Sequence, residues 1–544
     1  MTTHRPFTIT DVRIFDGRVI LDASCARIAG GRVDALGGSE IVREGDELVA
    51  GRGGTLLPGL IDAHVHLLPG CTQLAALFGV TTVIDQFSKP EVIERERAAA
   101  DASEPVCADM RTSGIGATAP GGHPTLAYAP IPYVHGPADA AEFVNARAHE
   151  GATHLKLIYD DGSGAHMRIP TLDTTTVEAL VREAHKLGMP VVAHVSTAVG
   201  AVTMARCGVD VLAHAPFDSL SDGQVTAVAS AGCAVIATLD VVDGFPGPDG
   251  RLPLQHEPNL PARWRRVLDR QSRRWMPPQR PDGAAARRNA PALREAGAPV
   301  LAGTDAPNPG LVCGASLHRE LRHLVAAGFR PEDALTAATD APARVFGLTD
   351  RGRVEVGRRA DLVLVDGDPT VSVEASRNVR ATWVTGRRVA PGAYPGSQAE
   401  RDGIAHLRAT TEKIVEALRE RRPGFPAPET VTREDGEPLG RIVPSAGGWQ
   451  AMTIFGAPLG ETSDREAARE ILQVNGLSSL AEPWWARPMD EPSWREARLL
   501  EVRPDRVRVR WTDPLAEQPA SGRWFELDDI DLARTRPEDT TPRA

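Results

Sequence analysis

Residues 57–68 read LPGLIDAHVHLL. His64 and His66 stand two positions apart at the end of an apolar run, and in a β-strand that spacing puts both imidazoles on one face. Ile61, Ala63, Val65 and Leu67 then face the other way. Two neutral imidazoles side by side suit a divalent metal ion, while a pair of solvated histidines at a strand end is the plainer reading of the HVH motif alone. Four more residues of the same chemical kind close later apolar runs: Lys156 in HLKLIY, His194 in VVAHV, His214 in VLAHA and Asp305 in GTDAP. Singly, these read as hydrogen-bonded core histidines, a snorkelling lysine and a loop or helix-cap aspartate. Jointly, they bury polar groups at the ends of five strands, and each would be costly without a partner; one shared metal centre accounts for all of them.

The elements that must position these groups follow a regular rhythm. Apolar runs at 59–67, 80–86, 110–118, 153–160, 190–195, 209–216, 233–241 and 299–307 alternate with helical patterns. Eight such runs are the number that closes a parallel barrel, and their continuous apolar character implies helices over the outer face. In such a barrel the chemistry belongs at the C-terminal strand ends, where all these polar residues fall. The helical spacing is clearest in DTTTVEALVREAHKLG (173–188), with Val177, Leu180, Val181 and Ala184 on one face. Short alternating runs over residues 7–55 are matched by GRRADLVLVDGDP and VRATWVTGRRV across 357–389. The expectation is an α/β chain in which a (β/α)8 TIM-like barrel (57–350) is inserted in a small β-sandwich made by residues 1–56 and 351–395. An amphipathic helix within 396–425 then connects to a C-terminal α+β appendage over 426–544, ending in a frayed tail. Its tryptophans, Trp449, Trp484, Trp485, Trp494, Trp511 and Trp524, are expected in a core.

Composition narrows the partners. The 544 residues carry a formal net charge of −11, so a phosphate-tracking surface is not expected, and nucleic acid is excluded as a partner. The N-terminal stretch lacks an apolar core behind a basic segment, and no stretch supplies the ~20 apolar residues of a membrane span. A cytoplasmic location without membrane attachment is the expectation. Six cysteines (Cys25, Cys71, Cys107, Cys207, Cys233, Cys313) are scattered singly and read as small buried residues, with Cys71 lying near the candidate site.

The order PGLIDAHVHL, a lysine in the fourth strand, AHV, LAHAP and AGTDAP resembles the amidohydrolase superfamily, in its binuclear-metal branch of prolidase-like and imidazolonepropionase-like enzymes. TAPGGHP (118–124), LHRELRHLVAAGFRPEDALTAATDAPARVFGL (317–348) and GRRADLVLVDGDP (357–369) extend the likeness over residues 7–395. The resemblance implies that His64, His66 and Asp305 hold the more buried metal ion, that His194 and His214 hold a second, and that Lys156 bridges them as a carbamate formed with carbon dioxide. An ammonium beside two dications is repelled, whereas a carbamate is an anion with two oxygens. Mixed nitrogen and oxygen ligands suit Zn(II), with Mn or Fe as alternatives. The implied reaction is hydrolysis of an amide, cyclic amide or N-acyl bond in a small-molecule substrate by a hydroxide bridging the ions. Asp305 would be the proton shuttle and His123 a catalytic and substrate-binding contact.

His318 and Glu320 match the family's LHREL helix and are expected as structural anchors; His154 is expected to point away from Lys156. The sequence departs from the prolidase-like pattern at LIYDDGSG and VSTAVGA, where no clear carboxylate-clamping tyrosine appears. The basic insertion ARWRRVLDRQSRRW reads either as a lid whose Arg265, Arg266 or Arg270 binds an anionic group beside Trp264 and Trp275, or as a solvated helix packing its tryptophans. Two further readings remain open: a mononuclear deaminase of the same superfamily, and a catalytically silent scaffold acting through the appendage. A homo-oligomer is compatible with all of them.

Overall fold

The structure is a computed structural model that describes residues 5–537, except 103, 164–167, 244–253, 255–256, 258, 273–282, 422–427, 435, 437, 446, 477–479, 490, 492, 504–505, 514 and 517. Trp275 and the expected tail from residue 538 lie outside the described residues. The chain divides into two compact units, one of residues 1–245, 256–260 and 279–414, the other of 246–255, 261–278 and 415–544.

In the first unit, β1 (Phe7–Ile14), β2 (Cys25–Ala29), β3 (Arg32–Gly37) and β4 (Glu47–Pro58) come first. Eight short strands follow: β5 (Leu60–Val65), β6 (Val80–Asp85), β7 (Asp109–Thr112), β8 (Leu155–Ile158), β9 (Val191–His194), β10 (Val211–Ala213), β11 (Ala234–Ile236) and β12 (Val300–Leu301). Then come β13 (Leu362–Val365), β14 (Val379–Val384) and β15 (Arg387–Arg388). Each of the eight apolar runs therefore holds one strand.

The eight strands form two parallel sheets, β5-β6-β7 and β12-β11-β10-β9-β8. Backbone hydrogen bonds also run from Ala63 N–H to the Ala302 carbonyl (3.0 Å) and from Ala117 N–H to the Lys156 carbonyl (2.8 Å). Nearly every residue of these strands is buried, as expected of strands covered on both faces. The helix expected at 173–188 spans Thr174–Lys186 and buries Val177, Leu180, Val181 and Ala184. It starts where the Asp173 carboxylate accepts the Thr176 N–H, and it stops before Gly188, whose φ of +68° suits a left-handed turn.

The two ends of this unit do pair. Hydrogen bonding joins them in one seven-stranded sheet of order β15-β14-β13-β4-β1-β2-β3, with β13 antiparallel to β4. The sheet turns back on itself through an antiparallel bridge from Arg32 to Arg359. It encloses a core in which Trp383, 2% exposed, stacks on Phe7 at 5.7 Å between ring centroids. The amphipathic helix expected after it spans Gln398–Arg421 and buries Ile404 and Leu407. Five cysteines are buried and Cys207 is partly so. Cys71 and Cys313, apart in sequence, bring their sulfurs to 2.7 Å.

The second unit contains β16 (Glu429–Thr432), β17 (Pro438–Ser445), β18 (Gly448–Met452) and β19 (Pro458–Thr462), an antiparallel sheet that shares a core with the helix Arg465–Asn475. After these, β20 (Trp484–Pro488), β21 (Arg495–Val502), β22 (Arg506–Trp511), β23 (Arg523–Glu526) and β24 (Ile530–Ala533) make a five-stranded sheet of order β23-β22-β21-β20-β24. Trp484 and Trp511 are core residues, as expected, but Trp524 is exposed, with the guanidinium groups of Arg503, Arg506 and Arg508 over its ring.

The basic insertion forms a helix, Ala262–Ser272, that belongs to this second unit. Arg266 pairs with Asp531 at 2.7 Å and Arg270 with Asp528 at 3.2 Å, while Arg263 pairs with Asp529. Arg266 and Arg270 thus both have carboxylate partners next to or in β24. Trp264 is fully buried.

Replacing Trp383 by alanine is expected to lower stability by about 3–5 kcal/mol through lost burial and a residual cavity. Chemical denaturation followed by circular dichroism would register it as a lower midpoint.

Candidate functional site

Strands β5 and β12 are drawn together at the Asp305 loop. The Asp305 N–H donates to the His64 carbonyl at 2.7 Å, and the His66 N–H to the Ala306 carbonyl at 2.7 Å. Gly303 makes the approach feasible, because a Cβ there would stand 2.9 Å from the His64 backbone nitrogen. Beneath them the buried Asp62 carboxylate accepts from the Thr304 hydroxyl (2.7 Å), the Thr304 N–H (3.0 Å) and the His64 N–H (3.2 Å). Burial pushes its carboxyl up to about 7 in spite of those donors.

Asp305 itself has φ of +60°, a left-handed conformation unusual for a residue with a side chain. In that conformation its Oδ1 lies 2.9 Å from His66 Nε2 and 3.3 Å from His64 Nε2, and its Oδ2 lies 4.0 Å from His214 Nε2. His66 is oriented from behind by the Phe87 carbonyl, 3.0 Å from Nδ1.

His194 ends β9 and His214 follows β10, with Ala213 in register with His194. His214 Nε2 is 3.0 Å from His194 Nδ1. The other nitrogen of His214 meets the Thr238 hydroxyl at 2.6 Å, and Thr238 is held at φ of +47°. The His214 ring stacks on His64 at 4.9 Å, so the histidines of β5 and β10 meet in one place. His64, His214 and Asp305 each offer a ligand atom, and those atoms lie within 4.8 Å of one another.

Lys156, in β8, is 1% exposed, and its Nζ has no hydrogen-bond partner among the described residues. Burial lowers its pKa to about 7, against the opposing pull of Asp305 and Asp85. Burial likewise drives His64 and His214 well below the usual imidazole range, which leaves them in the neutral form that can bind a metal ion. His66 shifts the other way: burial opposes its charge, but the hydrogen bond to Asp305 raises its pKa. Burial would raise Asp305 too, yet His66 and the surrounding imidazoles hold it at about 2.

His123, from the GGHP segment, lays its ring over His194 at 4.8 Å between centroids. Six of the residues expected from the sequence thus form one cluster, His64, His66, His194, His214, Asp305 and His123, and Lys156 lies close enough for its charge to depress the His64 and His214 pKa values. His154 takes no part; its ring lies edge-on to Phe346 and it meets the Thr153 hydroxyl. His318 is tied to the Ser376 hydroxyl and the Phe78 carbonyl, and Glu320 accepts the Asp240 N–H at 2.7 Å. These bonds anchor the surrounding segments. One residue was missed: Asp160, whose Oδ2 lies 3.1 Å from His194 Nε2. The available signal was its position four residues after Lys156, in the departure YDDG.

The sequence pattern of the amidohydrolase family matches residues 55–389, more than half of the chain. The chain belongs to the amidohydrolase family. This amidohydrolase is 28% identical over 405 residues to dihydroorotase of Halobacterium salinarum, an alignment covering 66% of this chain and 87% of that one. It is also 44% identical over 94 residues to adenine deaminase of Methanoregula boonei, which amounts to 17% of this chain and only 15% of the relative's length. Among solved structures, a Xaa-Pro dipeptidase with methionine bound in its active site superposes with a TM-score of 0.58 at 20% identity, covering 70% of this chain and 99% of the other. That likeness shows a TIM-barrel-type fold, to which the eight parallel strands conform.

A Gly303→Ala variant is expected to push β12 off His64 and displace Asp305. The check is the divalent metal retained after gel filtration, which should fall below that of the unaltered chain while the far-ultraviolet circular dichroism is kept.

Proposed function

We propose that this amidohydrolase is a metal-dependent hydrolase of a carbon–nitrogen bond in a small molecule, of amide, cyclic amide or N-acyl type. One observation carries the reading: imidazoles from β5, β9 and β10, buried or partly so, converge with the Asp305 carboxylate beside a lysine that has no partner among the described residues. Imidazole nitrogens facing each other at 3.0 Å, and a buried amine without an acceptor among the described residues, fit shared cations. The reading takes the eight strands as one closed barrel, supported at its two seams by the bonds from Ala63 to Ala302 and from Ala117 to Lys156.

In this reading His64, His66 and Asp305 would hold one divalent ion and His194 and His214 a second, and Lys156, as a carbamate, would supply oxygen ligands in place of a repelled ammonium. Zn(II) suits the nitrogen and oxygen donors; bound there, the ions would polarise the substrate carbonyl and lower the pKa of water. Lys156 is prepared for carbamate formation because burial leaves much of it as free amine near neutral pH, the form that attacks carbon dioxide. Asp305 is anionic and lies within reach of three imidazoles, so its carboxylate can accept a proton from the attacking water and pass it to the leaving nitrogen. His123 contacts the substrate from the GGHP segment, where its ring caps His194.

The similarity to adenine deaminase favours one alternative, hydrolysis of an exocyclic amine with release of ammonia. A single screen separates the two: metal-replete protein against N-acyl amino acids, dipeptides, lactams, hydantoins and adenine. Turnover of an amide or lactam is expected, lost on chelation and restored by Zn(II). Ammonia from adenine alone would replace this reading with the deaminase one.

Asp305→Asn is expected to lower kcat/KM by roughly 10²- to 10⁴-fold. Lys156→Ala is expected to retain less metal, with partial recovery on adding a small carboxylic acid. Purified protein that takes up no divalent metal would remove the basis of the proposal.

A further inference from the structure

Each imidazole of the site has two nitrogens, and what holds the outer one decides which lone pair faces the centre. The Phe87 carbonyl holds His66 and the Thr238 hydroxyl holds His214; both partners are neutral. His194 is different. Its Nε2 lies 3.1 Å from the Asp160 carboxylate, while its Nδ1 faces His214.

The backbone delivers Asp160 to this position. Ile158 is in register with His194, and the Tyr159 N–H donates to the His194 carbonyl at 3.0 Å, so residue 160 emerges beside the end of β9. The carboxylate is then fixed by the Ser196 hydroxyl (3.0 Å) and the Gly162 N–H (2.8 Å), both donating to Oδ1, which leaves Oδ2 for the imidazole. Asp160, His194 and Ser196 are therefore joined at the ends of two adjacent strands.

We infer that Asp160 is a positioning residue for the second metal ion: it holds His194 with the proton on Nε2 and the Nδ1 lone pair directed at the centre. The inference rests on the binuclear reading above and adds a group that the reading does not contain. A carboxylate behind an imidazole fixes the ring's tautomer and orientation and raises the basicity of the inward nitrogen. Removing it should weaken the ion held by His194 and His214 and leave the one held by His64, His66 and Asp305 in place.

The test is titration of full-length apoprotein with Co(II), followed by visible absorption and by metal content after gel filtration, for the unaltered chain and for Asp160→Ala, Asp160→Asn and Asp160→Glu. Two equivalents are expected in the unaltered chain. In Asp160→Ala the affinity for the second equivalent should fall about 10- to 100-fold, with its absorption band altered and the first equivalent unchanged. Asp160→Asn, which keeps the shape and loses the charge, should show the loss even if the alanine variant fails to fold, and Asp160→Glu should recover part of it. Two equivalents with unchanged affinity and spectrum in Asp160→Asn would overturn the inference while sparing the proposed function. An unaltered chain that binds no Co(II) would overturn both.

Discussion

Desolvation governs the first unit. Withdrawn from water, Lys156 loses much of its preference for charge, and His64 and His214 become neutral donors of lone pairs. Their nitrogens are held close together, His214 Nε2 3.0 Å from His194 Nδ1, with the Asp305 carboxylate beside them. The backbone makes unusual concessions to keep this arrangement: left-handed Asp305 and Thr238, and the absence of a side chain at Gly303 where β5 and β12 touch. Such features persist when the surrounding structure over-determines them, and they gather where chemistry needs them.

Most of this was legible in the amino-acid sequence for a simple reason. A strand buried on both faces must be apolar throughout, so a histidine, lysine or aspartate at its end stands out. The eight runs, the helix beginning at Asp173 and the pairing of β4 with β13 could be read from local pattern and turn chemistry. The charged insertion showed its helix but not its partner. A basic amphipathic segment looks alike whatever it packs against, and Arg266 meets Asp531 across 265 positions of sequence. Asp160 was hidden for a related reason: its meaning depends on the register between β8 and β9, which no local motif states. The meeting of Cys71 with Cys313 depends in the same way on elements remote from each other in the chain.

Family membership and site geometry also bear on each other. The matched region, residues 55–389, takes in every member of the polar cluster and stops short of the appendage. The dihydroorotase and adenine deaminase relatives carry different names, so membership by itself leaves the substrate open. His123 at the edge of the cluster, over His194, and Tyr128 beside it, against Phe87, are where such differences would be written.

The second unit is stitched from remote stretches of the polypeptide: Arg263 finds Asp529, 266 positions downstream. During translation the helix Ala262–Ser272 leaves the ribosome long before β24 exists, with Trp264 and its arginines lacking their eventual setting. A gene fragment starting after residue 415 would encode both sheets but not the helix, taking Arg263 from Asp529 and leaving Asp531 with Arg487 but without Arg266. The appendage is thus no detachable cassette, and its inheritance is bound to that of the loop which interrupts the barrel.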